Sequence, residues 1–140
     1  MRLYFAFGFN MDRAHMEELC RGAEALGAAR LDHHQFFIAH AGYASIAPKR
    51  GASVYGIVWK VAAPHIAKLD QYESVAAGLY RLAAIPVHHG ERLLRALVYI
   101  ATDARPGRPK PGYQEGVVAA ARVWQLPADY VHGLETFLRA

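Results

Sequence analysis

Apolar positions in this chain fall in short runs, broken by glycine, proline and charged residues. Leu3 to Phe7 is a continuous apolar run ended by Gly8, the pattern of a buried strand. Gly8 to Asp12 is then a turn, with Asn10 or Asp12 placed to cap a helix over Arg13 to Arg21. That helix carries Met16, Leu19 and Cys20 at helical spacing and stops at Gly22. One strand is expected within Ala28 to Ala39 and another over Tyr43 to Ala47, followed by a turn at Pro48-Lys49-Arg50-Gly51. Ser53 to Val61 is rich in β-branched and aromatic residues and predicts a further strand. Pro64 opens a helix reaching about Tyr72, with Ile66 and Leu69 on one face. Gly78 to Val87 and Arg92 to Ala101 read as a hairpin turning at His88-His89-Gly90. A stiff loop from Arg105 to Gly112 leads to a helix over Tyr113 to Trp124. A last helix opens at Pro127, with Tyr130, Leu134, Phe137 and Leu138 facing inward. Strands grouped in mid-chain with helices around them predict an α+β fold, a small barrel or strongly curled sheet.

The 140 residues suit one domain spanning 1–140. Hydrophobic residues at 54% and charged residues at 20% are a globular composition. A single cysteine, Cys20, excludes an internal disulfide and a paired-cysteine zinc site. The first residues lack a signal-peptide pattern, and no run reaches the about 18 apolar residues of a membrane span. A cytoplasmic protein is expected. Net charge is +4, with the basic residues scattered apart from Arg105, Arg108 and Lys110, which read as a solvated loop. Without a Lys/Arg stripe and interleaved aromatics, no nucleic-acid partner is expected.

Phosphate-cradling loops and nucleophile elbows are absent from the sequence. His33-His34 and His88-His89 are adjacent pairs, and strand neighbours point to opposite faces, so neither pair predicts a metal site. Two features remain. Glu73 sits at a helix-to-strand junction beside Tyr72, Val75 and Tyr80. Burial there would raise its pKa toward the range of a general base, whereas a solvated helix end would leave it ordinary. Phe7-Gly8-Phe9-Asn10 places a glycine and free N–H groups between a strand and a helix, either a ligand-binding turn or simply a tight one.

Tyr4-Phe5-Ala6-Phe7-Gly8-Phe9-Asn10 resembles the Y-F-A-Y-G-S-N motif of the γ-glutamylcyclotransferase family, the group that includes the AIG2-like proteins. Val54 to Trp59 is similar to its V-x-G-x-V-W strand, Leu69 to Glu73 to its L-D-x-x-E segment, and Gly78-Leu79-Tyr80 to the G-x-Y that follows. Pro111-Gly112-Tyr113 and Leu126 to Tyr130 resemble its P-x-Y and L-P-x-x-Y segments, so the resemblance runs in order over almost the whole chain. It implies a small mixed β-barrel with flanking helices and a cofactor-free, metal-free reaction. The α-amine of a small γ-glutamyl substrate attacks its own γ-carbonyl, 5-oxoproline forms, and an amine or amino acid leaves. The resemblance makes Glu73 the general acid/base. It makes Tyr4, Phe5, Ala6, Phe7, Gly8, Phe9, Tyr80 and Tyr113 the substrate-binding set. Three positions depart from the pattern: Phe7 replaces tyrosine, Phe9 replaces serine, and Ser74 replaces the glycine after the glutamate. Two rival readings stay open. One is a non-catalytic binding or regulatory module whose pocket Phe9 has altered. The other is a transferase or amidohydrolase with a different attacking group. The first-strand edge and the apolar last helix are candidate surfaces for a homodimer.

Overall fold

A computed structural model describes residues 1–139; Ala140, the end of the expected domain, lies outside the described residues. Five strands form a closed barrel: β1 (Arg2–Ala6), β2 (Glu24–Ile38), β3 (Ala44–Val61), β4 (Tyr80–His89) and β5 (Arg92–Ala101), in the order β1-β3-β2-β4-β5. All neighbours are antiparallel except β1 and β5, which close the barrel in parallel with Tyr4 opposite Leu97. Among the described residues there are four α-helices: α1 (Arg13–Leu19), α2 (Ala63–Tyr72), α3 (Tyr113–Val123) and α4 (Ala128–Glu135). Short 3₁₀ turns occupy Phe9–Met11 and Thr136–Arg139. No helix among the described residues is long and apolar enough to cross a membrane.

Successive residues of the central strands are buried, as in Ile57-Val58-Trp59 and Ala96 to Tyr99. One set fills the barrel and the other meets covering elements, so these strands read as continuous apolar runs. Gly56 is required by the crossing of β1, because a Cβ there would collide with the Ala6 carbonyl.

Several expected boundaries shift. β2 begins at Glu24, because Glu24 to Asp32 pair against Lys60 to Ser53 although Ala25 to Ala29 hold no β-branched or aromatic residue. Pro48 to Gly51 is not a turn between two strands. Pro48 stands opposite His34 and Ser53 opposite Asp32, so the intervening residues bulge outward within one bent β3. Proline is tolerated at such a bulge, where no ladder N–H is needed. His88 and His89 belong to β4, opposite Leu93 and Arg92, and the turn falls at Gly90-Glu91. Leu138 is exposed rather than inward-facing. β1 has no free edge, since β3 and β5 flank it on both sides.

Candidate active site

The turn after β1 is fixed at several points. Asp12 caps α1, its Oδ1 accepting from the His15 N–H at 2.8 Å. Asn10 does not cap; it is buried, and its Nδ2 donates to the Tyr4 hydroxyl at 2.9 Å while its Oδ1 lies 2.8 Å from His15 Nε2. Trp124, just beyond α3, donates from Nε1 to the Met11 carbonyl at 2.7 Å, with the Arg13 guanidinium stacked on its ring. The turn is thereby held between the barrel end and α3.

Glu73 follows α2 as its C-cap, its N–H donating to the Leu69 carbonyl at 2.9 Å. Ser74 then takes a left-handed backbone with φ of 54°, which reverses the chain toward β4. A glycine adopts that conformation without strain, which explains the glycine usual at this place in the motif. The reversal directs Glu73 back over the open end of the barrel.

The result is a cavity of ≈ 320 Å³. Its walls come from the first turn (Tyr4, Phe5, Phe7, Gly8, Phe9, Asn10), the start of β3 (Tyr43, Ala44), the α2–β4 junction (Tyr72, Glu73, Ser74, Leu79, Tyr80), Tyr99 of β5 and Tyr113 of α3. No Lys or Arg lines it among the described residues. Of the predicted set, Glu73, Tyr4, Phe5, Phe7, Gly8, Phe9, Tyr80 and Tyr113 all border the cavity. Ala6 does not: it is buried in the barrel with its carbonyl against Gly56. Sequence reasoning missed Tyr43, Ala44 and Tyr99, which reach the cavity from distant segments and carry no local motif. It placed Asn10 in the motif and as a candidate cap, without a bond to Tyr4 or His15.

Burial pushes the Glu73 carboxyl up to about 7. Its place at the C-terminal end of α2 acts in the same direction, since that end of a helix disfavours negative charge. The tyrosines divide by where their protons go. Tyr80 donates to the Ala44 carbonyl at 2.8 Å and Tyr99 to Asp70 Oδ1 at 2.6 Å, so both are committed to the scaffold. Tyr113 instead accepts from the Ala44 N–H at 3.2 Å and lies against the backbone N–H of Phe9. Its hydroxyl approaches Gly8 so closely that a Cβ there would stand 2.6 Å from its oxygen. Phe9 does not plug the cavity: its ring lies over Gly116 of α3, where a Cβ would come within 2.8 Å of it, and against His15 at 4.7 Å between centroids.

The histidine pairs lie elsewhere. His34 Nδ1 is bonded to the Asp32 carbonyl at 2.9 Å and His89 Nδ1 to the Ala28 carbonyl at 2.9 Å. His88 sits 3.5 Å from Asp32 Oδ2. Among the described residues no three His, Cys, Asp or Glu side chains converge as a metal site. Cys20 is a buried core residue.

Known proteins agree with this architecture. The AIG2-like family profile matches residues 53–134. Mouse gamma-glutamylcyclotransferase is 30% identical, the alignment covering 95% of this chain and 77% of the mouse protein. The human gamma-glutamylcyclotransferase is 27% identical with the same coverage. A solved gamma-glutamyl cyclotransferase structure superposes with a TM-score of 0.89 at 25% identity, over 96% of this chain and 86% of its own. The chain therefore belongs to the AIG2-like family, alongside the γ-glutamylcyclotransferases, and is an enzyme of that type.

Proposed function

We propose that the protein converts small γ-glutamyl conjugates into 5-oxoproline and a free amine or amino acid, with Glu73 moving the proton. The observation that carries this reading is a half-buried carboxyl, raised to about 7, in one cavity with the Phe7–Phe9 turn and Tyr113. The substrate's α-ammonium loses a proton to Glu73, and its nitrogen attacks the γ-carbonyl carbon of the same molecule. Attack leaves that nitrogen cationic with two hydrogens. Glu73 returns its proton to the leaving nitrogen as the carbon–nitrogen bond breaks and the intermediate collapses, and the ring nitrogen's second proton passes to the departing amine, so the products are a neutral lactam and an ammonium.

The raised pKa suits both transfers. An α-amine of roughly 8 is about 5 kcal/mol uphill from an ordinary carboxyl but about 1.4 kcal/mol from one near 7, and the difference of about 3.4 kcal/mol holds for any amine pKa. Ring closure is intramolecular, so holding a folded-back conformer supplies much of the acceleration, up to about 7–11 kcal/mol. The intermediate's oxyanion needs donors about 3 Å away. Tyr113 supports this role, because backbone N–H groups occupy its lone pairs and leave its proton to donate into the cavity. The N–H groups of the Phe7–Phe9 turn other than that of Phe9, which Tyr113 engages, are the natural partners of the substrate carboxylate.

The test is mass-spectrometric assay of 5-oxoproline from a panel of γ-glutamyl amino acids and amines. Glu73→Gln is expected to lower kcat by about 10²–10⁴-fold. Absence of product across the panel, or an unaffected Glu73→Gln, overturns the reading. Free glutamate in place of 5-oxoproline would assign the chemistry to hydrolysis.

A further inference from the structure

His15, Asn10 and Tyr4 form a chain of side chains running from the half-buried flank of α1 to the cavity. None of the distances alone fixes the direction of its hydrogen bonds. In one direction His15 Nε2–H donates to Asn10 Oδ1, Asn10 Nδ2–H donates to the Tyr4 oxygen, and the Tyr4 proton is left for the cavity. In the other, every donor is reversed and Tyr4 presents lone pairs to the cavity.

Three observations select the first direction. Asn10 Nδ2 is the atom facing Tyr4. A carboxylate, Glu73, lies in the cavity that Tyr4 borders, and it repels lone pairs and attracts an O–H. Asn10 Oδ1, which can only accept, is the atom facing His15 Nε2 at 2.8 Å, so the ring carries its proton on that nitrogen. Burial and then the neighbouring Glu73 push Tyr4 well above the ordinary tyrosine pKa, which keeps it a protonated donor.

We propose that His15 is a positioning residue which, through the fixed amide of Asn10, aims the Tyr4 hydroxyl into the cavity as a second hydrogen-bond donor facing the reacting atoms. The proposal rests on the γ-glutamyl cyclisation above. It makes the tyrosine O–H pair, Tyr4 and Tyr113, the uncharged counterpart of a cationic oxyanion site in a cavity without Lys or Arg.

Asn10→Asp tests it, because a carboxylate in that place accepts from both neighbours and turns the Tyr4 proton away at constant shape. Its kcat for 5-oxoproline release should fall as far as that of Tyr4→Phe, about 10²-fold, the cost of one oxyanion donor. The double variant should be no worse than either single one. His15→Phe, which frees the amide to rotate, should cost about threefold to tenfold in kcat, and His15→Gln should restore it. Additive losses in the double variant, or a His15→Phe enzyme with unchanged kcat, overturn the proposal. A wild-type protein that makes no 5-oxoproline would overturn the cyclisation reading instead. The relay is then read without turnover, by NMR of protein carrying ring-¹³C tyrosine. The Tyr4 Cζ signal should move in His15→Phe and return in His15→Gln, and a stationary signal refutes the relay.

Discussion

Replacing Glu73 by glutamine removes a charge at nearly constant shape, and its largest effect outside catalysis should be on stability. The folded protein holds the Glu73 proton up to about pH 7, whereas the carboxyl's ordinary value is 4.5. Below pH 4.5 both states are protonated and the group is neutral to stability. Between 4.5 and 7 the folded state binds a proton that the unfolded state has lost, so stability falls as pH rises. Above 7 the loss is complete and constant. At 1.36 kcal/mol per pH unit the interval corresponds to about 3 kcal/mol. Glu73→Gln should therefore match the wild type near pH 4 and exceed it by about 2–3 kcal/mol at pH 8. At about 3 °C per kcal/mol for a chain of this size, that is about 6–9 °C in Tm. Scanning calorimetry of both proteins from pH 4 to 9 reads the difference directly. Asp32 and Asp103, held below the usual carboxylate range by bonds from Arg30 and Arg105, titrate alike in both and cancel. Parallel stability curves would show that the carboxyl ionises near its ordinary value, and the argument that desolvation tunes it would fail.

Three other substitutions probe the scaffold of the site. Gly116→Ala places a Cβ 2.8 Å from the Phe9 ring, so it should destabilise by about 1–3 kcal/mol. In a Phe9→Ser background it should instead stabilise by up to about 1 kcal/mol, and additivity in denaturant melts would refute the contact. Gly8→Ala pushes the Tyr113 hydroxyl away from its N–H donors and should cut kcat/KM by about 10²-fold with the barrel still folded; unchanged kinetics would remove Tyr113 from the reaction. Ser74→Gly relieves a left-handed serine, and should raise stability by about 0.5 kcal/mol after the backbone entropy of glycine; a measured loss would contradict the strain assigned to φ of 54°.

The strands and helices with strong local periodicity stand where the residues place them. The departures arise where pairing across the barrel outweighs local signals. Pro48 and Gly51 look like a turn, yet Ile46 and Val54 on either side pair to one strand, β2, which carries β3 across the bulge. Glu24 to Arg30 are built on alanine, leucine and glycine, poor strand formers, and become strand because the second half of β3 pairs with them. Glu73 and the Phe7–Phe9 turn were legible through the order of the motifs, since nothing in their own neighbourhoods distinguishes a catalytic glutamate from a solvated one. Ala44 contributes backbone groups, which leave no mark in a sequence. Tyr99 is the one aromatic residue of an otherwise aliphatic strand and belongs to no motif.

The parallel contact that closes the barrel also sets when the protein becomes competent. Tyr4 meets Leu97, so the first strand waits for the fifth, and Tyr113 arrives later still from α3. Joining such distant segments is entropically costly before any contact rewards it, and folds dominated by these pairings form slowly, in about milliseconds to seconds. The proposed site gathers Tyr4, Glu73, Tyr99 and Tyr113 from segments far apart in the chain, so a partly folded chain holds pieces of the cavity without their proximity. Turnover is thus a reporter of the last folding event: activity should return with the closing of the barrel and never ahead of it.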